Sequence, residues 1–145
     1  MSFTPDASLL HLLHRASQIC SERFARTIGD SNLTPRQLIV LSIVDTDPGI
    51  SQTAIVTATG IDRSTLADIV RRLVQRRLLT RRRSKIDARA YVINLTTEGR
   101  SVLATAAPMM ARVDADMLAA IPAQHQVQLI GLLAKLIEQP SLHEA

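Results

Sequence analysis

The sequence predicts a mainly helical α+β fold in which one short β-hairpin interrupts a run of helices. Three observations lead there. Apolar residues fill 46% of the 145 positions but aromatics only 2%. The core is therefore built of Leu, Ile, Val and Ala, which suits helix-on-helix packing better than a β-sandwich rich in aromatic strand residues. Apolar residues also recur at helical spacing through most of the chain. The exception is a pair of short segments, Leu79–Arg83 and Ala90–Leu95, where Tyr91, Ile93 and Leu95 alternate with Val92 and Asn94. A chain of this length forms one domain, or one domain with dimerisation arms.

The elements follow in order. A first helix is predicted over Asp6–Ile28, with Leu9, Leu12, Leu13, Ala16, Ile19, Cys20, Phe24 and Ile28 at helical spacing and Asp6 or Ser8 as its cap. Gly29-Asp30-Ser31-Asn32 breaks it. Thr34 caps a second helix and Pro35 opens it; Leu38, Leu41 and Val44 share one face, and Asp47-Pro48-Gly49 ends it. Ser51 caps a short third helix, Gln52–Thr59, closed by Gly60. Asp62 caps the fourth, Arg63–Arg77. After the hairpin a long helix is predicted over Thr97–Ala120, capped by Thr97, with Leu103, Ala106, Met110, Val113, Met117 and Leu118 on its apolar side. Pro108 inside it is expected to kink or locally break it. The last helix is predicted over Gln124–Gln139. It is too apolar to stand exposed, and with the first helix it implies a second buried surface, most simply that of a partner subunit.

Two short helices joined by a tight turn, followed by a hairpin, outline a winged helix-turn-helix. On the fourth helix Leu66, Ile69, Val70 and Leu73 share one face, whereas Ser64, Asp68, Arg71, Arg72 and Gln75 lie opposite, with Thr65 at the edge. Charge concentrates in the same place. Ile61–Ala90 carries ten Lys or Arg against three acids, a local +7, while the other 115 residues balance at −3. A positive stripe confined to a helix and hairpin is the electrostatic footprint expected for a phosphate backbone, here that of double-stranded DNA. A solvated charged face is the bland alternative. The expected organisation is an N-terminal dimerisation helix over residues 1–30, the winged helix-turn-helix over 31–98, and C-terminal dimerisation helices over 99–145.

Asp87-Ala88-Arg89, followed after five residues by Leu95-Thr96, resembles the D-x-R-x-x-x-x-x-L-T wing signature of the MarR family of bacterial transcription regulators. Leu33-Thr34-Pro35-Arg36-Gln37, Ile61-Asp62-Arg63-Ser64-Thr65-Leu66 and Thr97-Glu98-Gly99 resemble the same family's second helix, recognition helix and fifth helix at their starts. The resemblance implies a homodimer whose first and last helices interlock, presenting two winged helix-turn-helix units to a pseudo-palindromic operator. It implies that Arg89 enters or lines the minor groove and that Asp87 pairs with Arg81 to shape the wing. Where the family usually has Gly at the end of the recognition helix, this chain has Arg77. A left-handed cap there costs a non-Gly residue about 1 kcal/mol, so either the helix ends differently here or the strain is accepted.

Within that reading Ser64 and Thr65 are placed for base edges or phosphates, although Thr65 serves equally well in helix capping. Arg71 and Arg72 suit guanine or phosphate. Asp68 suits cytosine N4, or more simply orients Arg72 one turn on. Arg36, Gln52 and Arg63 suit phosphates, and Lys85 and Arg89 are the strongest wing candidates. The resemblance also implies an effector site between the first, second and fifth helices near the dimer interface, where His11, Arg15, Arg23 and Arg26 beside an apolar wall suit a small anionic aromatic ligand. Inter-subunit salt bridges to Asp114, Asp116 or Glu138 are the alternative use of those bases. Cys20, the single cysteine, allows a redox-responsive reading, but it sits on the apolar stripe and reads better as core. His11, His14, Cys20, His125 and His143 lack carboxylate partners at ligand spacing, so no metal is expected. No cofactor loop or catalytic set is present, so no enzyme is expected; a module binding an acidic protein is the remaining alternative. No apolar run reaches the roughly 18 residues of a membrane span. The N-terminal MSFTPDASLLHLLHR lacks signal-peptide features, and a cytoplasmic location is expected.

Overall fold

The computed structural model describes residues 4–138. The elements run α1 (Leu9–Ile28), α2 (Pro35–Thr46), β1 (Ile50–Ser51), α3 (Gln52–Thr59), α4 (Arg63–Gln75), β2 (Leu79–Arg83), β3 (Tyr91–Leu95), α5 (Thr97–Leu118) and α6 (Ala123–Ile137). The fold is thus mainly α with a small antiparallel sheet, as its patterning predicts. Gln139, the expected end of the last helix, and His143 lie outside the described residues.

Side-chain caps set most helix starts. Ser8, not Asp6, caps α1 by accepting from the His11 amide, while Asp6 lies in a preceding 3-10 turn. Thr34 and Gln37 form a reciprocal capping box at 3.2 and 3.0 Å around Pro35. Ser51 accepts from the Ala54 amide at 3.1 Å, and Asp62 from the Thr65 amide at 2.9 Å. At α5 the cap is Thr96 rather than Thr97: its hydroxyl accepts from the Gly99 amide at 2.9 Å. The helix then runs unbroken through Pro108. The proline forfeits its own bond to the carbonyl one turn back, and Ala106 and Val113, buried on either side, hold the helix against the core.

The sheet order is β1-β3-β2, both pairs antiparallel. Ile50 faces Ile93, and the hairpin register runs from Leu79 opposite Leu95 to Arg83 opposite Tyr91. β1 was not foreseen, because two residues carry no alternation to read. One core joins the elements: Phe24 and Ile28 of α1, Leu38, Leu41 and Val44 of α2, Ile55 of α3, the four buried apolar residues of α4, and Leu103 and Val113 of α5. No single helix among the described residues is long and apolar enough to cross a membrane.

The end of α4 keeps the left-handed cap and accepts the strain. Arg77 has φ +60°. The Leu78 amide donates to the Leu73 carbonyl and the Arg77 amide to the Val74 carbonyl, both at 2.9 Å, a Schellman closure made without glycine.

Candidate nucleic-acid interface

The recognition helix is held at its start by one carboxylate. Asp62 Oδ1 accepts from the Thr65 amide at 2.9 Å and from the Ser64 hydroxyl at 2.7 Å. Hydrogen bonds from Thr65 and then Ser64 hold the Asp62 carboxyl far below the usual carboxylate range. The Ser64 hydroxyl therefore already serves the cap, and Thr65 is half-buried. Leu66, Ile69, Val70 and Leu73 are buried, whereas Arg71 and Arg72 on the other face, and Arg63 in the first turn, are exposed. Asp68 pairs with both Arg71 and Arg72, the latter through Nε at 2.7 Å. These bonds, that from Arg71 foremost, lower the Asp68 carboxyl below its ordinary value. One acid thus aims two guanidinium groups.

The wing tip is stitched by local bonds. The Ser84 amide donates to the Ala90 carbonyl, and Ser84 Oγ accepts from the amides of Ile86 and Asp87 at 3.1 and 3.2 Å. Arg83 Nη1 reaches the Ala88 carbonyl at 2.6 Å. Asp87 does not pair with Arg81: its Oδ1 accepts from the Arg89 amide at 2.9 Å, closing an Asx-type turn. Arg81 instead lies over the Tyr91 ring, 3.8 Å from the centroid, with Arg83 at 5.3 Å. Strand geometry explains the change of partner. Arg83 stands opposite Tyr91, and Arg81, two residues earlier, shares its face as the diagonal neighbour.

Between helix-turn-helix and wing lie two adjoining hollows of about 260 and 220 Å³. Arg63, Arg81, Arg89, Gln52 and Tyr91 line the first, and Arg71, Arg81, Gln52 and Gln75 line part of the second. Because Gln52 and Arg81 belong to both, four arginines from α4, β2 and the wing converge on one groove. Arg72 and Lys85 are exposed, and neither they nor Arg36, exposed in the first turn of α2, line either hollow. Tyr91, as the platform under Arg81, escaped the sequence reading. Strand register could have found it, since residues at period two share a face.

A larger, mostly apolar cavity of about 630 Å³ opens between α2 and α5, lined in part by Leu38, Ile39, Ser42, Ile43, Met110 and Ala111. Its charged lining residues are Asp47 and Asp114. None of His11, Arg15, Arg23 and Arg26 lines it. Phe24 and Ile28 turn α1 so that Arg15, Arg23 and Arg26 are exposed and His11 is half-buried. Arg23 donates to the Asp116 carbonyl in the last turn of α5 at 2.8 Å, a backbone partner rather than an acid. Cys20 is half-buried against the core. Among the described residues no three His, Cys, Asp or Glu side chains are grouped to hold a metal ion.

The fold and the arginine-lined groove define a winged helix-turn-helix protein. Residues 31–90 match the MarR family model. A Thauera aromatica protein named for transcriptional regulation of the hcr operon is 35% identical over 129 residues, spanning 88% of this chain and 78% of its own. BpsR of Bordetella bronchiseptica, solved to explain regulation of its DNA binding by 6-hydroxynicotinic acid, is 28% identical with a TM-score of 0.90, covering 97% of this chain and 100% of that one. The repressor CouR, solved on a 23-mer DNA duplex, is 30% identical with a TM-score of 0.85 over 95% of this chain and 100% of its own. The chain belongs to the MarR family.

Proposed function

We propose that the protein is a homodimeric, sequence-specific DNA-binding transcriptional regulator of the bacterial cytoplasm, a repressor released from a pseudo-palindromic operator by a small effector. The observation that carries this reading is the convergence of Arg63, Arg71, Arg81 and Arg89 on one groove between recognition helix and wing. A guanidinium cluster beside exposed helix residues matches a phosphate backbone flanking base edges. In this reading Arg71 and Arg72 read bases, with Ser64 and Thr65 reduced to support by their part in the cap. Arg36, Gln52 and Arg63 hold phosphates, and Lys85 and Arg89 work along the minor groove. CouR on its duplex supports the same use of the fold.

Dimerisation is supported by apolar surface at both ends of the chain. Leu9, Leu10 and Leu12 of α1 are exposed, and in α6 Val127 and Ile137 are 81% and 84% exposed. Helices this apolar demand a cover, and a second copy supplies one for both at once. The effector reading is supported by the α2–α5 cavity and by the response of BpsR to an aromatic acid. The cavity's apolar walls suit an aromatic ring, but its own charged residues are acids. In this reading the base that an acidic effector needs, His11, Arg15 or Arg26, comes from the second copy.

The test is footprinting on the DNA upstream of the protein's own coding sequence, with sedimentation of the protein alone and with duplex. One dimer protecting two half-sites supports the reading. A monomer, or a footprint with no half-site symmetry, contradicts it. Aromatic acids, screened by release of that duplex, test the effector.

A further inference from the structure

We propose that Arg76 is a positioning residue, a strut that braces the C-terminal end of the recognition helix against the corner between α1 and α2. It is one of the ten bases of the positive segment, yet its charge is directed away from the groove. Arg76 Nη1 donates to the Asn32 carbonyl at 3.1 Å and Nη2 to the Ser31 carbonyl at 2.8 Å, across 44 and 45 residues of chain. One planar head presents two nitrogens to two successive carbonyls, a forked contact whose fixed geometry lysine's single nitrogen does not reproduce.

The corner it grips is a special piece of backbone. A 3-10 turn, Gly29–Ser31, begins on a residue of positive φ, Gly29 at +58°, and is followed by another, Asn32 at +49°. Ile28 and Leu33 on either side are buried in the core. This corner carries the chain from α1 into the helix-turn-helix. The other bonds at that end of α4 leave it little freedom: the Arg76 amide donates to the Arg72 carbonyl, and the Schellman bonds of Arg77 and Leu78 close the helix. With Asp62 fixing the start, α4 is a rod clamped at both ends, and Arg76 ties it to the helix that leads toward the partner. In a dimer the angle of each recognition helix to the two-fold axis sets the half-site spacing that the protein accepts. The strut therefore acts on spacing, not on bases or phosphates. This inference rests on the proposed DNA-binding dimer.

The test uses full-length Arg76→Lys and Arg76→Gln on the upstream duplex, in its native form and with a single base pair inserted or removed at its centre. Lys keeps the charge and loses the two-point bond; Gln loses the charge and keeps one amide donor. Both variants are expected to remain folded dimers and to lose about tenfold in affinity for the native duplex. The salt dependence should stay unchanged, and the preference for native over altered spacing should shrink. The strut is overturned if Arg76→Lys behaves as wild type while Arg76→Gln lowers the salt slope by about one per protomer, which is the mark of a phosphate contact. It is equally overturned if both variants melt earlier but keep affinity and spacing preference, which would make the bond merely structural. Failure of the wild-type protein to bind the native duplex would sink the DNA-binding reading itself, a result separable from either.

Discussion

Gly99→Ala separates what helix propensity expects from what the structure expects, because the two differ in sign. Gly99 lies in the first turn of α5, where alanine is the better helix former by up to about 1 kcal/mol. A Cβ there would meet the Leu78 carbonyl oxygen at 2.1 Å, its carbon at 3.0 Å and Leu95 Cδ2 at 3.1 Å. The first of these falls more than an ångström short of ordinary contact, and the obstacle is backbone. Leu78 cannot swing aside: its amide is bonded to Leu73, and its carbonyl accepts from the Thr96 amide at 3.1 Å and the Thr96 hydroxyl at 3.2 Å. Shifting α5 outward instead breaks the Thr96 bonds and loosens Leu95 and Leu103 in the core. Overpacking of this kind costs about 1–3 kcal/mol and each lost hydrogen bond about 1 kcal/mol. After the propensity gain the net expectation is a loss of roughly 2–3 kcal/mol, or about 5–10 °C in Tm. Urea and thermal unfolding followed by circular dichroism, with both proteins at the same concentration, read this directly. An unchanged or raised Tm would refute the packing argument at the root of the wing.

Arg77→Gly relieves a left-handed residue that has a Cβ, and thermal melts should show a gain of up to about 1 kcal/mol; a loss would mean the arginine side chain contributes more than its strain removes. Because the folded Asp62 carboxyl titrates below its unfolded value, its contribution is complete above about pH 4 and is lost as pH falls toward the folded value. The stability difference between wild type and Asp62→Asn should accordingly be largest near neutral pH and shrink steadily in acid; a difference constant to pH 2 would contradict the cap. Tyr91→Leu removes the ring beneath Arg81 and should weaken DNA binding about two- to fivefold, the order of a cation–π contact, with the fold retained; unchanged affinity would show that the ring does not aim Arg81.

How far the structure was legible depended on whether the deciding interaction was local. The caps at Thr34, Ser51 and Asp62 act over three residues and stand in the sequence as residue type and spacing. The buried face of α4 follows from one helical period, while the missing glycine marked Arg77 without deciding whether the helix would end differently or accept the strain. The cap of α5 was misplaced by one residue because Thr96 and Thr97 are alike in type, and the difference lies in the bonds of Thr96 to Arg77 and Leu78. Arg23, Arg76 and Arg81 were beyond reach for a different reason. A charge count marks where guanidinium groups are, but their partners are two backbone carbonyl corners and a ring contributed from other elements. The expected Arg81–Asp87 pair failed on the same ground, since the carboxylate found a backbone amide two residues away before any distant arginine.

The most direct test of the groove is the affinity of wild type and Arg89→Ala for the upstream duplex across a salt series. Arg89 lines the groove with Arg63 and Arg81, while the Arg89 amide, which alanine retains, carries the turn-closing bond to Asp87. A groove that binds DNA gives the wild type a steep inverse salt dependence, and the variant a lower affinity with a slope reduced by about two for the dimer, one per protomer. A wild type whose binding hardly responds to salt, or a variant with the same affinity and slope, would leave the positive segment as a solvated face and contradict the account.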